Sequence, residues 1–318
     1  MYFLKRLASS LFVMALVALL TFVVIDLAPG SYLDDLATNP QVSSEMLARM
    51  RAQYGLNRPF YGKFWQWGRS LANGDLGYSL VYQRPVRQLI AERVWNTVLL
   101  NLTALLVAWI AGTALGLTAA AARGSLVDWA ISSATAVLIS TPSVVLAVVL
   151  LALAARLGLP IGGVSVSDPE TLTAWGRAAD LIRHLALPVL AVAAVWLPAI
   201  ARHTRTAVLA ALDAPHMLAA RARGVGRARL LLVHALREAL VPLTNFFGLS
   251  VAGLVSASLV VEVVMSWPGI GALTYDAVLK RDIFLIVDLV QLSAIFLLIG
   301  NAAGDVLLHA VDPRTAGA

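Results

Sequence analysis

The sequence predicts an all-α integral membrane protein: six transmembrane helices, a folded external loop between helices 1 and 2, and a short cytoplasmic helix between helices 4 and 5. Composition is the first reason, because 59% of the 318 residues are hydrophobic and only 13% are charged. A soluble protein of this length could not bury so much apolar surface. The second reason is a set of long uncharged windows, and the third is an unequal distribution of Lys and Arg between the loops.

The six spans are predicted where charged residues are absent or rare. A helix needs ~20 apolar residues to cross a bilayer, and a charge at its centre costs about 3 kcal/mol. The windows are residues 7–25, 94–122, 129–155, 184–201, 239–261 and 283–311, of which the last contains Asp288 and Asp305.

The first window has two interpretations. Lys5 and Arg6 precede it, as in a secretory signal. However, its 19 uncharged residues are too many for such a signal, and the following "LAPGSY" offers no small-x-small cleavage pattern. We therefore predict that residues 1–29 form an uncleaved anchor helix.

Loop charges predict that both termini are cytoplasmic. The side that carries the termini collects eleven Lys and Arg residues, whereas the short loops of the opposite side hold five. Eight more lie in the loop of residues 30–94, which is discounted because the positive-inside rule applies to loops shorter than ~60 residues and this one has 65.

The external loop, residues 30–93, is predicted to be folded. Eight of the 24 aromatic residues of the chain lie between Tyr54 and Tyr82. "SSEMLARMRAQ" predicts a helix with a serine cap, and "FYGKFWQWGRSL" predicts another. We interpret Trp65 and Trp67 as interfacial aromatics at the headgroup level, with docking of an external partner as the alternative.

Glycine and proline mark the middle spans. Gly112 and Gly116 form a GxxxG pair, which lets a second helix approach closely. Pro142, Pro188 and Pro198 each remove one backbone hydrogen bond from a predicted span, which predicts kinked helices.

A basic segment follows the fourth span, with seven arginines between residues 202 and 237. It predicts a helix, a break and a second helix: Asp213 caps the first helix, Pro215 lies in its first turn and Gly224 ends it in a left-handed conformation. The helical pattern resumes at Arg227 and continues into the fifth span.

The first helix of this segment has the composition of a docking surface. Ala219, Ala220 and Ala222 leave its backbone accessible, while Arg221 and Arg223 supply bidentate donors. This favours a soluble partner. The alternative is that the arginines fix topology and contact anionic lipid headgroups, but that leaves the glycine break and the alanine cluster unexplained.

These residues carry a resemblance. "AARARG" followed by "LLLVHALREALVPL" resembles the cytoplasmic EAA-type loop, here residues 207–238, of binding-protein-dependent ABC importer permeases. The resemblance is to the first permease subunit of the dipeptide, oligopeptide and nickel group. It extends over nearly the whole chain through "LAPG", "YGLNRPFYGKFWQW", "GDLGYS", "RPV", "TPS", "SWPGIG", "KRD", "NAAGD" and "DPR".

The resemblance implies that residues 215–229 form a coupling helix seated in a groove of a cytoplasmic ATPase. It further implies a permease core of residues 94–311 with five transmembrane helices, a C-terminal tail of residues 312–318, and a bacterial inner membrane location. The coupling residues would be Pro215, His216, Leu218, Ala219, Ala220, Arg221, Arg223 and Gly224. Leu218 stands where that family commonly has Glu, and His216 where peptide permeases often have an aromatic residue.

The resemblance also implies the partners. They are a second homologous permease, two ATPase domains or subunits, an external solute-binding protein and membrane lipid, with no nucleic acid. ATP and Mg would be bound by the partner subunits, and no cofactor is expected in this chain. The solute would be a dipeptide, an oligopeptide, a glutathione-like peptide or a nickel chelate.

The residues themselves predict a transport subunit and not an enzyme. No Gly-x-x-x-x-Gly-Lys-Ser/Thr phosphate loop is present, so the chain has no ATPase site of that type. Cysteine is absent, and the five histidines lack the spacing of metal ligands. No set of nucleophile, base and orienting residue can be proposed.

Two charged positions are candidates for the translocation path or its gate. Asp288 lies inside the sixth span, where a carboxylate usually faces the bundle interior or water, so it could line the path or bind a substrate amine. The alternatives are interfacial solvation and pairing with Lys280 or Arg281. Glu262 closes the fifth span just before "SWPGIG", in which Trp267, Pro268 and Gly269 fit a turn of an external gate.

Two other functions stay open at this point. An ion-coupled secondary transporter would use Asp288 as a proton or cation site and would not need an ATPase socket. A non-transporting membrane scaffold would use the aromatic external loop as an interaction surface.

Overall fold

The computed structural model describes residues 2–28, 30–38, 40–55, 57–165 and 172–311. The chain divides into two compact units. The first unit comprises Met1–Trp95 with Gly269–Phe296, and the second comprises Asn96–Pro268 with Leu297–Ala318. The helices and strands are, in chain order, α1 (Tyr2–Leu27), α2 (Tyr32–Leu36), α3 (Ser44–Gln53), α4 (Phe60–Ala72), β1 (Tyr78–Ser79), β2 (Arg84–Pro85), α5 (Val86–Ala121), α6 (Leu126–Ser140), α7 (Ser143–Leu157), α8 (Ala174–Leu212), α9 (Pro215–Ala222), α10 (Arg227–Arg229), a π-helical turn (Leu230–Ala235), α11 (Leu236–Val264), α12 (Ile270–Leu279) and α13 (Ile283–Val311).

The described residues contain five helical stretches that are long and apolar enough to cross a membrane, or six if the bent pair α6 and α7 is one span. The all-α membrane fold predicted from composition is confirmed. The stretches are Ala8–Leu36, Val86–Ala121, Ala174–Leu212, Arg227–Val251 and Ile283–Leu307, with Leu126–Ser140 and Ser143–Leu157 as the bent pair.

The third predicted span differs from the expected kinked helix, because α6 and α7 meet at 105°. Pro142 is the cause. A proline disfavours the helical conformation of the residue before it, and Thr141 is indeed extended, with φ −89° and ψ 123°. Pro188 and Pro198, by contrast, both lie inside the continuous helix α8.

The GxxxG pair of α5 packs against α8 in the second unit, as predicted. A Cβ atom on Gly112 would lie 2.9 Å from the backbone oxygen of Leu197, and one on Gly116 would lie 2.5 Å from that of Ala201. Only glycine permits this distance, because the obstructing atoms belong to the helix backbone and cannot rotate away.

A partly buried ion pair joins α6 to α8. Arg205 donates from Nε to Oδ1 of Asp128 at 2.7 Å and from Nη2 to Oδ2 at 2.8 Å. The same carboxylate accepts from the backbone N–H of Gly124 at 3.0 Å. In the sequence, Arg205 was only one of the eleven Lys and Arg residues that predict the cytoplasmic side. Its pairing with Asp128 was not predicted.

The predicted external loop contains the two expected helices. Ser43 caps α3 by accepting a hydrogen bond from the backbone N–H of Met46 at 3.2 Å, and Glu45 lies in the first turn. α4 packs against α1. A short antiparallel hairpin follows, in which Tyr78 pairs with Pro85.

Two of the motifs that carry the resemblance meet in the first unit. Ser79 of "GDLGYS" donates from Oγ to Oδ2 of Asp282 in "KRD" at 2.5 Å, and the backbone N–H of Val81 donates to the same oxygen at 3.2 Å. Burial raises the pKa of the Asp282 carboxyl above its usual value, although these hydrogen bonds oppose the rise. The contact fixes the hairpin against the start of α13.

Candidate coupling surface and gate

The candidate coupling helix is α9, which starts at Pro215 as predicted. The predicted cap was wrong: Ala214 precedes α9, and no side chain caps it. Asp213 instead ends α8 in a helical conformation, with φ −83° and ψ −4°, whereas a cap residue needs extended backbone. Its carboxylate accepts from Nη1 of Arg123, with both oxygens at 3.0 Å.

Gly224 ends the helix in the left-handed conformation, as predicted, with φ +82°. Its backbone N–H donates to the carbonyl of Arg221 at 3.0 Å, and that of Val225 donates to Ala220 at 3.2 Å. Gly226, the residue before α10, has an ordinary φ of −62°. The π-helical turn before α11 was not predicted, because the apolar pattern does not distinguish it from an α-helix.

Met217 anchors α9, and this role was not predicted from the sequence. It is buried in a cluster with Val208, Ala211 and Leu230 of the second unit. Only the apolar character of Met217 could have indicated its burial. Leu218 is equally apolar but 55% exposed, so the sequence alone does not show which of the two residues is buried.

The predicted coupling residues follow one another along α9 and just after it, and most of them are exposed. Ala220 is half-buried, and the others are exposed, namely Pro215, His216, Leu218, Ala219, Arg221, Arg223 and Gly224. Nε2 of His216 lies 3.0 Å from Oε2 of Glu238, which links the exposed side of α9 to the first turn of α11. The helix therefore presents a small, basic and largely unobstructed surface.

The gate candidates of the second unit are held by α5. Glu262 is fully buried and accepts from Oγ1 of Thr97 at 2.8 Å. Trp267, also fully buried, donates from Nε1 to the carbonyl of Asn96 at 3.2 Å, and Nδ2 of Asn96 donates to the carbonyl of Pro268 at 2.8 Å. Asn96 and Thr97 were not predicted to contact these residues, since the uncharged window 94–122 contains other Asn and Thr residues that give the same signal.

The turn between Glu262 and α12 has unusual backbone geometry. Ser266 has φ +51°, a left-handed conformation that non-glycine residues seldom adopt. Its carbonyl accepts from the backbone N–H of Gly163 at 3.1 Å. Gly269 precedes the first residue of α12 in extended backbone. The segment is thus fixed by several contacts, and its role as a gate stays a prediction.

Asp288 is buried in the first unit, with 4% of its surface exposed. Its Oδ1 accepts from Nε1 of Trp67 at 2.9 Å. The proposed pairing with Lys280 or Arg281 was wrong, because Lys280 lies 3.7 Å from Asp276 and Arg281 lies 3.3 Å from Asp35. Interfacial solvation is excluded by the same burial.

The headgroup interpretation was also wrong for Trp67. Only 8% of this side chain is exposed, and its ring packs on Phe22 of α1 at a centroid distance of 5.6 Å. Trp65, two residues earlier and therefore on another face of α4, is 75% exposed and stays a candidate for the headgroup level. The Trp67 contact attaches the loop helix α4 to α13.

We expect Trp67→Phe to lower the free energy of unfolding by about 2 kcal/mol, because the buried carboxylate of Asp288 loses its donor. Trp65→Phe is the matched control, with an expected change within about 0.5 kcal/mol. Thermal unfolding of both variants in the same detergent measures the difference. Equal stability of the two variants would contradict the assigned hydrogen bond.

Within the part of the chain that the structure describes, no group of three His, Asp or Glu side chains is placed to hold a metal ion. His309 lies where no side chain is described.

Residues 112–317 match the family described as "Binding-protein-dependent transport system inner membrane component". Three relatives match along almost the whole chain. "Oligopeptide transport system permease protein AppB" of Bacillus subtilis (strain 168) is 32% identical over 316 residues, covering 98% of each chain. "Glutathione transport system permease protein GsiC" of Salmonella typhimurium is 33% identical, covering 98% of this chain and 97% of the relative.

The third relative, "Di/tripeptide transport system permease protein DppB" of Pseudomonas aeruginosa, is 33% identical, covering 94% of this chain and 93% of its own. Among solved structures, the inward-facing MetNI methionine ABC transporter in its native crystal form matches with a TM-score of 0.57 and 21% identity. The match covers 71% of this chain and 97% of that one, and it shows a shared fold. The chain therefore belongs to the inner membrane components of binding-protein-dependent transport systems.

Proposed function

We propose that the chain is the permease subunit of an ABC importer for small peptides or related solutes. A second permease completes the translocation path, an external binding protein delivers the solute, and partner ATPases bind ATP and Mg and supply the energy. The three relatives are named as transport permeases for oligopeptides, glutathione and di/tripeptides, which supports this solute class.

The exposed surface of α9 is the observation that carries the proposal. A short helix that is anchored on one side by Met217 and exposed on the other, with two alanines and a terminal Gly224, suits insertion into a cleft of a soluble subunit. Hydrolysis in that subunit would displace α9. Both termini of the chain then lie in the cytoplasm, on the side of the ATPase.

The helix α11 connects the two candidate sites of the second unit. Its 29 residues correspond to about 43 Å. It starts beside α9, where the buried cluster around Met217 includes Ala239 and Leu243. It ends at Val264, two residues after Glu262, which accepts a hydrogen bond from Thr97, and just before the turn that Asn96 binds at Pro268. A displacement of α9 would therefore reach the gate through one continuous helix.

The family match and the relatives support the ABC proposal over an ion-coupled one. At Asp288, Oδ1 accepts from Trp67 Nε1, Oδ2 is buried without a hydrogen-bond partner, and the side chain is buried. Asp288 acts in this proposal as the attachment of α4 to α13.

We expect Gly224→Val to uncouple ATP hydrolysis from solute uptake. A side chain costs about 1–2 kcal/mol in the left-handed conformation, and a β-branched one is less tolerated still, so the end of α9 must change its backbone. Open space surrounds Gly224, so the effect is conformational and not a clash. Solute transported per ATP in liposomes should fall about tenfold.

Gly226→Val is the matched control. Gly226 also borders open space, but its φ of −62° suits any residue. Its variant should keep normal coupling. Normal coupled uptake in Gly224→Val, or equal loss in both variants, would contradict the role proposed for α9.

A further inference from the structure

A pocket of about 330 Å³ lies in the first unit and is formed mostly by the predicted external loop. It is lined by the end of α3, by α4, by the chain around β1 and β2, and by the start of α13. None of the predicted coupling or gate residues lines it. The volume is at the lower end of the ~300–1,000 Å³ typical of ligand pockets, which suits a small ligand.

Aromatic rings form much of the wall of this pocket. Four of its eleven lining residues are aromatic, namely Tyr54, Trp67, Tyr78 and Phe284. The rings of Tyr54 and Tyr78 stack with their centroids 6.3 Å apart. Trp67 is buried whereas Tyr78 is 36% exposed, so the pocket is deep at Trp67 and open at Tyr78. The faces of aromatic rings carry partial negative charge, which attracts organic cations.

The polar residues of the wall supply acceptors and a negative charge. Side-chain oxygens come from Gln53, Gln66 and Ser70, and a carboxylate comes from Asp75. Oδ1 of Asp75 accepts from the backbone N–H of Gly77 at 2.9 Å, and among the described residues nothing donates to its Oδ2. None of the described lining residues is Lys or Arg. The pocket is therefore negatively charged.

A second carboxylate lies next to the aromatic wall. Asp288 follows Phe284 by one turn of α13, so the two residues share a face of that helix. Its Oδ1 accepts from Nε1 of Trp67 at 2.9 Å, and its Oδ2 is buried without a hydrogen-bond partner. Asp75 and Asp288 lie close enough to repel each other when both are charged. A cation in the pocket would offset this repulsion.

These two carboxylates differ from most others of the first unit, which have basic partners. Five form ion pairs with Lys or Arg, namely Asp26, Asp34, Asp35, Glu92 and Asp276. In the described part of the chain, neither Asp75 nor Asp288 forms such a pair. The negative charge that the first unit leaves without a basic partner thus includes the two carboxylates at this aromatic pocket.

We propose that the pocket binds a small organic cation, an ammonium or guanidinium compound that enters as a free molecule. Oδ2 of Asp75 accepts a hydrogen bond from the cation, which makes a strong charge-assisted contact. The aromatic faces stabilise the charge, and the side-chain oxygens of Gln53, Gln66 and Ser70 accept from the remaining N–H groups. Asp288 adds its negative charge from the far side of Trp67 without contacting the ligand.

Isothermal titration calorimetry of the purified transporter complex in detergent tests this inference. The probe is methylguanidinium chloride, and N-methylurea is its neutral analogue of nearly the same shape. Empty detergent micelles and sodium chloride provide the blanks. We expect methylguanidinium to bind and N-methylurea not to bind. Absence of methylguanidinium binding, or equal binding of both compounds, would overturn the proposal.

The role of the charge is tested with Asp75→Asn. Asparagine keeps an acceptor for the N–H of Gly77 and removes only the charge, so a purely structural role of Asp75 predicts unchanged binding. We expect the affinity for methylguanidinium to fall about tenfold or more. Glu45→Gln is the matched control, because it removes an exposed carboxylate of the same unit outside the pocket, and it should bind normally. Equal affinities of the two variants would contradict the site.

The location is tested separately with Ser70→Leu, which fills the pocket from α4. Ala72→Leu is its control, since Ala72 is an exposed residue of the same helix outside the lining. Ser70→Leu should lose binding and Ala72→Leu should retain it, and retention in both variants would place the cation elsewhere and overturn the assignment. Because these titrations use neither ATP nor a transported solute, the cation site and the proposed transport function are tested independently.

Discussion

We expect Arg205→Met to lower the free energy of unfolding by about 2–4 kcal/mol. The substitution leaves the carboxylate of Asp128, which is 5% exposed, without its main partner. Removal of one member of a fully buried pair costs about 3–5 kcal/mol. We expect a smaller loss of stability for Arg205→Met because the side chain of Arg205 is 32% exposed, so water partly screens its interaction with Asp128.

Arg202→Met is the control for this prediction. It also removes an arginine from α8, but Arg202 is exposed, and we expect its loss to change stability by about 0.5 kcal/mol or less. Chemical unfolding in detergent measures both variants. Asp128→Asn should repeat the effect of Arg205→Met, and the double variant should cost less than the sum of the single ones. Additive costs would mean that the two residues do not interact.

We expect Gly116→Val to have a comparable or larger effect, about 3 kcal/mol or more, or to prevent stable folding. A Cβ on Gly116 would lie 2.5 Å from the carbonyl oxygen of Ala201 and 2.6 Å from Cβ of Thr204. Neither atom can rotate away, so α5 and α8 must separate. Overpacking of this kind costs about 1–3 kcal/mol when neighbours adjust, and more when they cannot.

Ala114→Val is the matched control, since it places the same side chain on the exposed face of α5. Thermal unfolding of the two variants, together with the yield of folded protein, measures the difference. A Gly116→Val protein as stable as Ala114→Val would show that the helices do not approach as described.

Features that depend on a few neighbouring residues were predicted well. The cap of α3 at Ser43, the start of α9 at Pro215 and its end at Gly224 follow from local backbone preferences, and the structure confirms them. The wrong prediction for Asp213 shows the limit of local preferences. An aspartate side chain can cap a helix, but α8 extends to Asp213 and holds its backbone in the helical conformation, whereas a cap residue needs an extended one.

The candidate sites were predicted less completely. The sequence identified Trp267 and Pro268 but not Asn96, which binds both of them from a helix 171 and 172 residues away in the chain. It identified Asp288 but assigned it the wrong neighbours, because Lys280 and Arg281 are close in sequence whereas Trp67 is 221 residues away. It identified the exposed residues of α9 but not the buried Met217.

The sequence by itself determined that the chain is an all-α membrane protein, and where the basic helix begins and ends. These properties depend on the thickness of the hydrocarbon core and on the conformational preferences of Pro and Gly, and both act over a few adjacent residues. Only the tertiary structure decided which polar groups pair inside each unit. A buried carboxylate takes whichever donor packing brings within about 3 Å, and packing joins residues that the order of the chain keeps far apart.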